Sequence, residues 1–208
     1  MLDHGSKTLV DHYRAVFSDA PDVQTYRFLV DGEGEPVALT NAEFDRRARA
    51  IAATLRERVP AGERALIICP AGLDYVLAFY ACLYAGVIAV PVYPPDPAFL
   101  KRTLPRLIGV IDDARPAVVL AQKSMVDIVD RFTAYAPGLA DIFWFAVDDV
   151  DASAAQAWRR PDTHADDIAF LQYTSGSTRQ PKGVMVSHDN LASNMTRMLR
   201  RFCVGQDS

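Results

Sequence analysis

Across residues 75–95 the chain carries no charged side chain, and this stretch limits the possible folds more than any other feature. An uncharged run of that length is long enough on paper to cross a bilayer. Its internal chemistry argues otherwise. Gly86 and Pro91 interrupt it, a β-branched run begins at Val87, and no Lys or Arg lies close to either end as an interfacial anchor. It reads instead as a buried helix over residues 73–84, a turn at Gly86, and a buried strand over residues 87–92. Elements so apolar need cover on more than one side.

The neighbouring sequence can supply that cover. Short apolar runs at residues 65–69, 117–120, 142–147 and 168–173 read as buried strands. Helical periodicity separates several of them, at residues 99–114 (with Pro105 in its first turns) and 124–135. Such alternation predicts an α/β protein with layered, largely parallel sheets flanked by helices. Ahead of this region, residues 8–17 predict a helix, and residues 26–30 and 36–39 two strands. Asp31-Gly32-Glu33-Gly34-Glu35 is a hairpin turn between those strands. Thr40-Asn41-Ala42-Glu43 has the form of a capping box, opening a helix that should run to about Arg58. Residues 148–167, rich in Asp and Ala, predict a surface connection with a short turn near Trp158.

Charge and cysteine usage exclude several function classes. Lys plus Arg is 22 against 26 Asp plus Glu, a net charge of −4, with no long basic run. A nucleic-acid partner is therefore not expected. Cys69, Cys82 and Cys203 lie far apart and form no CxxC pair, and the histidines show no metal-ligand spacing. No disulfide framework and no metal-ligating residue is expected. With no early apolar block after Met1, no signal peptide is expected either, and a reducing, cytoplasmic setting fits best.

The chemistry concentrates in Thr174-Ser175-Gly176-Ser177-Thr178, followed by Pro181, Lys182 and Gly183. Four hydroxyls in five residues can donate to phosphate oxygens. Gly176 permits a tight bend and close approach of backbone N–H groups to an anion. Pro181 stiffens the return and Lys182 adds a positive charge. The spacing is not that of a Walker A loop. Counting from Gly176, the second glycine is replaced by Pro181 and the final Ser/Thr by Gly183. Residues 183–187 also read as a strand, whereas a Walker loop opens a helix. GxGxxG occurs nowhere in the chain. After the second strand, Ser187-His188-Asp189 offers helix caps, and Leu191, Met195, Met198, Leu199 and Phe202 give the next helix an apolar face.

Residues 170–188, spanning the hydroxyl cluster, Pro181-Lys182-Gly183-Val184 and His188, resemble the phosphate-loop signature of the acyl-adenylating superfamily. That superfamily includes acyl-CoA synthetases, peptide-synthetase adenylation domains and luciferases. Residues 83–91 are similar to its helix-to-strand motif and residues 39–55 to its first helical motif. Leu171-Gln172 and Pro91-Val92-Tyr93-Pro94-Pro95-Asp96-Pro97 resemble the fatty acyl-AMP ligases within it. The resemblance implies ATP-dependent conversion of a fatty acid to an acyl-adenylate, with pyrophosphate released and Mg²⁺ sharing its charge. It implies that Thr174, Ser175, Gly176, Ser177, Thr178 and Lys182 hold the β- and γ-phosphates. An acyl carrier protein or polyketide synthase would receive the acyl group. Residues 1–208 are expected to be the N-terminal part of the synthetase domain. The adenine pocket, the lid domain and its catalytic lysine would lie further on, so no catalytic residue is assigned. The 208 residues alone are expected to be inactive. Two alternatives stay open: a piece of an acyl-CoA synthetase or peptide-synthetase adenylation domain, and a non-catalytic nucleotide-binding or interaction module.

Overall fold

The computed structural model describes residues 8–30, 32–95, 99–129, 133, 136–174 and 181–201. Its centre is a six-stranded sheet built from β3 (Arg64–Ile68), β4 (Ile88–Pro91), β5 (Val118–Ala121), β6 (Phe143–Ala146), β7 (Ile168–Thr174) and β8 (Lys182–Ser187), in the order β6-β5-β3-β4-β7-β8. Every neighbouring pair is parallel except β7 and β8, which form an antiparallel hairpin at one edge. A separate antiparallel pair, β1 (Tyr26–Phe28) and β2 (Val37–Leu39), sets Tyr26 opposite Leu39.

The short apolar runs become central strands because both their faces are covered. Along β3, Ala65 and Ile67 face one core cluster while Leu66 and Ile68 face another. The period of two thus divides one strand between two cores. The first core lies under α1 (Leu9–Asp19), α2 (Asn41–Arg56) and α3 (Leu73–Ala85). The second lies under α4 (Leu100–Ala114), through Leu104, Leu107, Val110 and Ile111. The result is a helix–sheet–helix sandwich, the expected α/β class.

Local signals set the helix boundaries. The Thr40 hydroxyl accepts from the Glu43 N–H at 3.2 Å, and the Glu43 carboxylate accepts from the Thr40 N–H at 2.9 Å, completing the box that opens α2. Thr8 and Asp11 do the same for α1. At the end of α3, Gly86 takes the left-handed conformation, φ 66°, and turns the chain into β4. A Cβ there would come within 3.0 Å of Pro161, so glycine is required on two counts. The uncharged stretch is therefore a helix, a glycine turn and a strand. No helix among the described residues is long and apolar enough to cross a membrane.

Two expectations are corrected. Residues 148–167 do more than connect. A 3₁₀ turn over Ala152–Ala157 packs against α2. Trp158 is buried, and its indole N–H donates to the Tyr84 carbonyl at 2.8 Å. The polar composition reflects the outer side of this segment, while the tryptophan anchors its inner side. The helix expected over residues 124–135 is also interrupted: α5 covers only Lys123–Val126 before a turn, and residues 130–132, 134 and 135 lie outside the described residues.

Candidate functional site

The parallel strands β3, β4 and β7 all point their carboxyl ends the same way, and in open α/β sheets ligands bind beyond those ends. Here the three ends border a cleft of about 730 Å³. Cys69 and Tyr75 reach it from the β3 side, Val92 and Tyr93 from β4, and Tyr173 from β7. α4 supplies Leu107, Val110 and Arg106, the one cationic residue among the described residues that line the cleft. A second hollow, about 520 Å³, includes Arg64 and Ile88, the first residues of β3 and β4, and so lies toward the opposite end of the sheet.

Thr174 closes β7 and Lys182 opens β8, and the two are paired in the hairpin register. Directly opposed residues of an antiparallel pair project to the same face, with Cβ atoms about 4.5–5.5 Å apart. A hydroxyl and an ammonium group therefore stand side by side, both exposed, where the chain leaves and re-enters the sheet. Ser175, Gly176, Ser177 and Thr178 come between them in sequence and lie outside the described residues. Of the six expected phosphate-binding positions, the structure brings together Thr174 and Lys182.

Sequence reading missed how this hairpin is held. Tyr173, one residue before Thr174, points to the opposite face and is buried. Its hydroxyl donates to the Asp113 carboxylate on α4. Burial, and then the Asp113 carboxylate, push the Tyr173 phenol well up, so it remains a donor throughout the neutral range. Gly183 is opposite Tyr173, and a Cβ there would meet the ring at 2.9 Å. The signal was present in the sequence as Gly183 and Asp113, but nothing local linked them.

The Cys69 thiol beside the cleft is not poised as a nucleophile. Burial pushes the Cys69 thiol up to about 12, which leaves it protonated. Among the described residues, no cluster of three or more His, Cys, Asp or Glu side chains is placed to hold a metal ion. What the site offers is cationic and hydroxyl groups for an anion, beside a largely apolar cleft.

Comparison with known proteins agrees with this fold. The pattern of the AMP-binding enzyme family matches residues 16–208. The medium-chain fatty acid–acyl-carrier-protein ligase JamA of Moorena producens is 43% identical over 187 residues, covering 88% of this chain and 31% of JamA. The long-chain fatty acid–AMP ligase FadD32 of Mycolicibacterium smegmatis is 40% identical over 183 residues, covering 86% of this chain and 28% of its own. The fatty acyl-adenylate ligase of L. pneumophila, solved with acyl adenylate and pyrophosphate, superposes with a TM-score of 0.82 at 35% identity, covering 95% of this chain and 33% of that one. The chain thus spans about a third of the length of the relatives it matches.

Proposed function

The chain belongs to the AMP-binding enzyme family, and from that membership we propose that it forms the N-terminal part of an enzyme that adenylates a fatty acid. In this reading a fatty carboxylate oxygen attacks the α-phosphorus of ATP. The new O–P bond forms as the bond to the bridging oxygen breaks, giving acyl-adenylate and pyrophosphate. Both reactants are anions and negative charge grows on the departing pyrophosphate, so the barrier is largely electrostatic.

The observation that carries the reading is the paired placement of Thr174 and Lys182 at the carboxyl end of β7. A donor and a cation on one face suit the β- and γ-phosphates. Ser175, Gly176, Ser177 and Thr178 would complete the grip from the intervening segment. Mg²⁺ would arrive with the polyphosphate, whose oxygens are its natural ligands; no step is assigned to a protein-bound metal. The apolar cleft beside Tyr173 suits a hydrocarbon better than a polar amino acid. The acyl group would then pass to the phosphopantetheine arm of an acyl carrier protein or polyketide synthase, in line with the activity for which JamA is named. The lid and its lysine would come from the part of such an enzyme beyond residue 208.

The test is ATP–pyrophosphate exchange by the complete protein carrying these residues, with medium- and long-chain fatty acids, amino acids, and no acid as separate arms. Fatty-acid-dependent exchange supports the reading, and loading of an acyl carrier protein in preference to coenzyme A supports the acceptor. Exchange driven only by amino acids would replace it with a peptide-synthetase activity.

A further inference from the structure

One face of α4 touches the phosphate hairpin on both of its strands. Asp113 accepts the hydrogen bond of Tyr173, the residue immediately before Thr174. Four residues earlier on the helix, Gly109 faces Pro181, the residue immediately before Lys182; a Cβ on Gly109 would lie 3.0 Å from both Cγ and Cδ of that proline. Positions four apart lie one above the other on a helix. The two contacts are therefore a matched pair, one for each arm of the hairpin. Between them the Tyr173 ring lies over Gly183, filling the space a side chain would need.

Among the described residues, only Pro181 lies within 4 Å of where a Cβ on Gly109 would sit. Glycine inside a helix costs about 1 kcal/mol relative to alanine, and its backbone here is not in the left-handed region. Close approach of Pro181 is what the missing Cβ permits. Asp113 likewise makes no ion pair among the described residues; its hydrogen-bonding partner is Tyr173.

We propose that α4 is a brace for the phosphate hairpin, with Asp113 and Gly109 acting as positioning residues that fix the separation of Thr174 and Lys182. The inference rests on the phosphate-binding reading of those two residues. Asp113 and Tyr173 do not touch the nucleotide, because Tyr173 projects from the face opposite Thr174. Asp113 and Gly109 act by holding Tyr173 and Pro181, and through them the two residues that grip phosphate. The same helix lines the apolar cleft through Leu107 and Val110, so its other contacts belong to the acid rather than to ATP.

The experiment compares Asp113→Asn, Tyr173→Phe, Gly109→Ala and Lys182→Ala in the complete protein. It measures the Kd for ATP by equilibrium titration without fatty acid, and separate KM values for ATP and for the fatty acid in pyrophosphate exchange. Tyr173→Phe keeps the ring over Gly183 and removes only the hydroxyl, so it carries the test should Asp113→Asn fold poorly. The expected result is a rise of about 10-fold in Kd and KM for ATP in the three brace variants, with the fatty-acid KM unchanged in Asp113→Asn and Gly109→Ala, neither of which lines the cleft. The double variant Asp113→Asn/Tyr173→Phe should be no worse than either single one, since both break the same bond. If Lys182→Ala raises the ATP constants and the brace variants do not, the brace is overturned and the phosphate site stands. If Lys182→Ala also leaves them unchanged, the phosphate reading falls, and the brace with it.

Discussion

Thr174 and Lys182 are partners in the β7–β8 register, one step beyond the Tyr173–Gly183 pair. A two-residue period then assigns opposite tasks to adjacent residues. Thr174 and Lys182 share one exposed face. Tyr173 turns toward α4, where it bonds to Asp113. The hairpin can thus present a cation to solvent and stay anchored to the core at the same point.

Lys182→Ala should therefore separate binding from folding. The side chain is exposed, and its loss should leave the Tm within about 1 °C of the parent. Loss of a charge placed against pyrophosphate should slow adenylation by about 10- to 1,000-fold. Thermal melts and pyrophosphate exchange on the same preparation check both halves. An unchanged rate would remove Lys182 from the site.

Gly183→Ala should do the reverse. The added methyl would lie 2.9 Å from the Tyr173 ring, and that ring is buried and bonded to Asp113, so it has little freedom to withdraw. Overpacking of this kind costs about 1–3 kcal/mol, a fall in Tm of roughly 2–12 °C for a domain of this size. Gly183→Ala should cost less in a Tyr173→Ala background than in the parent, because the ring the methyl would meet is gone. Differential scanning calorimetry of the set would show whether the two substitutions are coupled as the contact requires.

The fold was legible in the sequence where local chemistry and burial agree. The Thr40–Glu43 box, the Gly86 turn and the alternation of apolar runs each depend on residues within a few positions of one another, and each appears as expected. The hydroxyl-rich segment stood out in composition, and its outer positions, Thr174 and Lys182, are paired at the strand ends. What could not be read were links between distant residues: Asp113 to Tyr173 and Trp158 to Tyr84. Asp113 stands beside Asp112 on an amphipathic helix and looks like an ordinary solvated acid. Trp158 sits in a polar segment that packs against α2 and, through Tyr84, against α3. No periodicity within either segment encodes its partner.

The tie between α1 and the segment before β7 should appear in acid. Arg160 makes a bidentate contact with Asp11, at 2.7 and 2.8 Å. That hydrogen-bonded pairing holds the Asp11 carboxyl down at about 2, against an ordinary 3.8. Because the folded value lies below the unfolded one, the carboxylate form favours the fold. Its contribution is fully present above about pH 4 and is lost as pH falls toward about 2. Asp11→Asn should lower the Tm at neutral pH, and the gap between variant and parent should close across that window. Melts at pH 7, 4 and 2.5 test this; a gap independent of pH would show that the pair contributes through packing alone.

His188 should govern stability in a milder range. It is the first residue of α6 (His188–Arg201), is buried, and leaves its Nδ1 without a hydrogen-bond partner among the described residues. Burial lowers its pKa below the usual 6.5, although Asp167 and Asp11 pull the other way. The fold therefore favours neutral imidazole, while the unfolded chain takes up a proton near 6.5. Stability should be highest above that pH and fall as pH drops from 6.5 toward the lowered folded value, then cease to depend on this group. His188→Gln removes the titration and keeps a polar side chain of similar length. Denaturant melts between pH 7.5 and 5 should show a sloping stability in the parent and a flatter one in the variant. Equal slopes would mean that the folded and unfolded pKa values coincide, the pull of Asp167 and Asp11 cancelling the effect of burial.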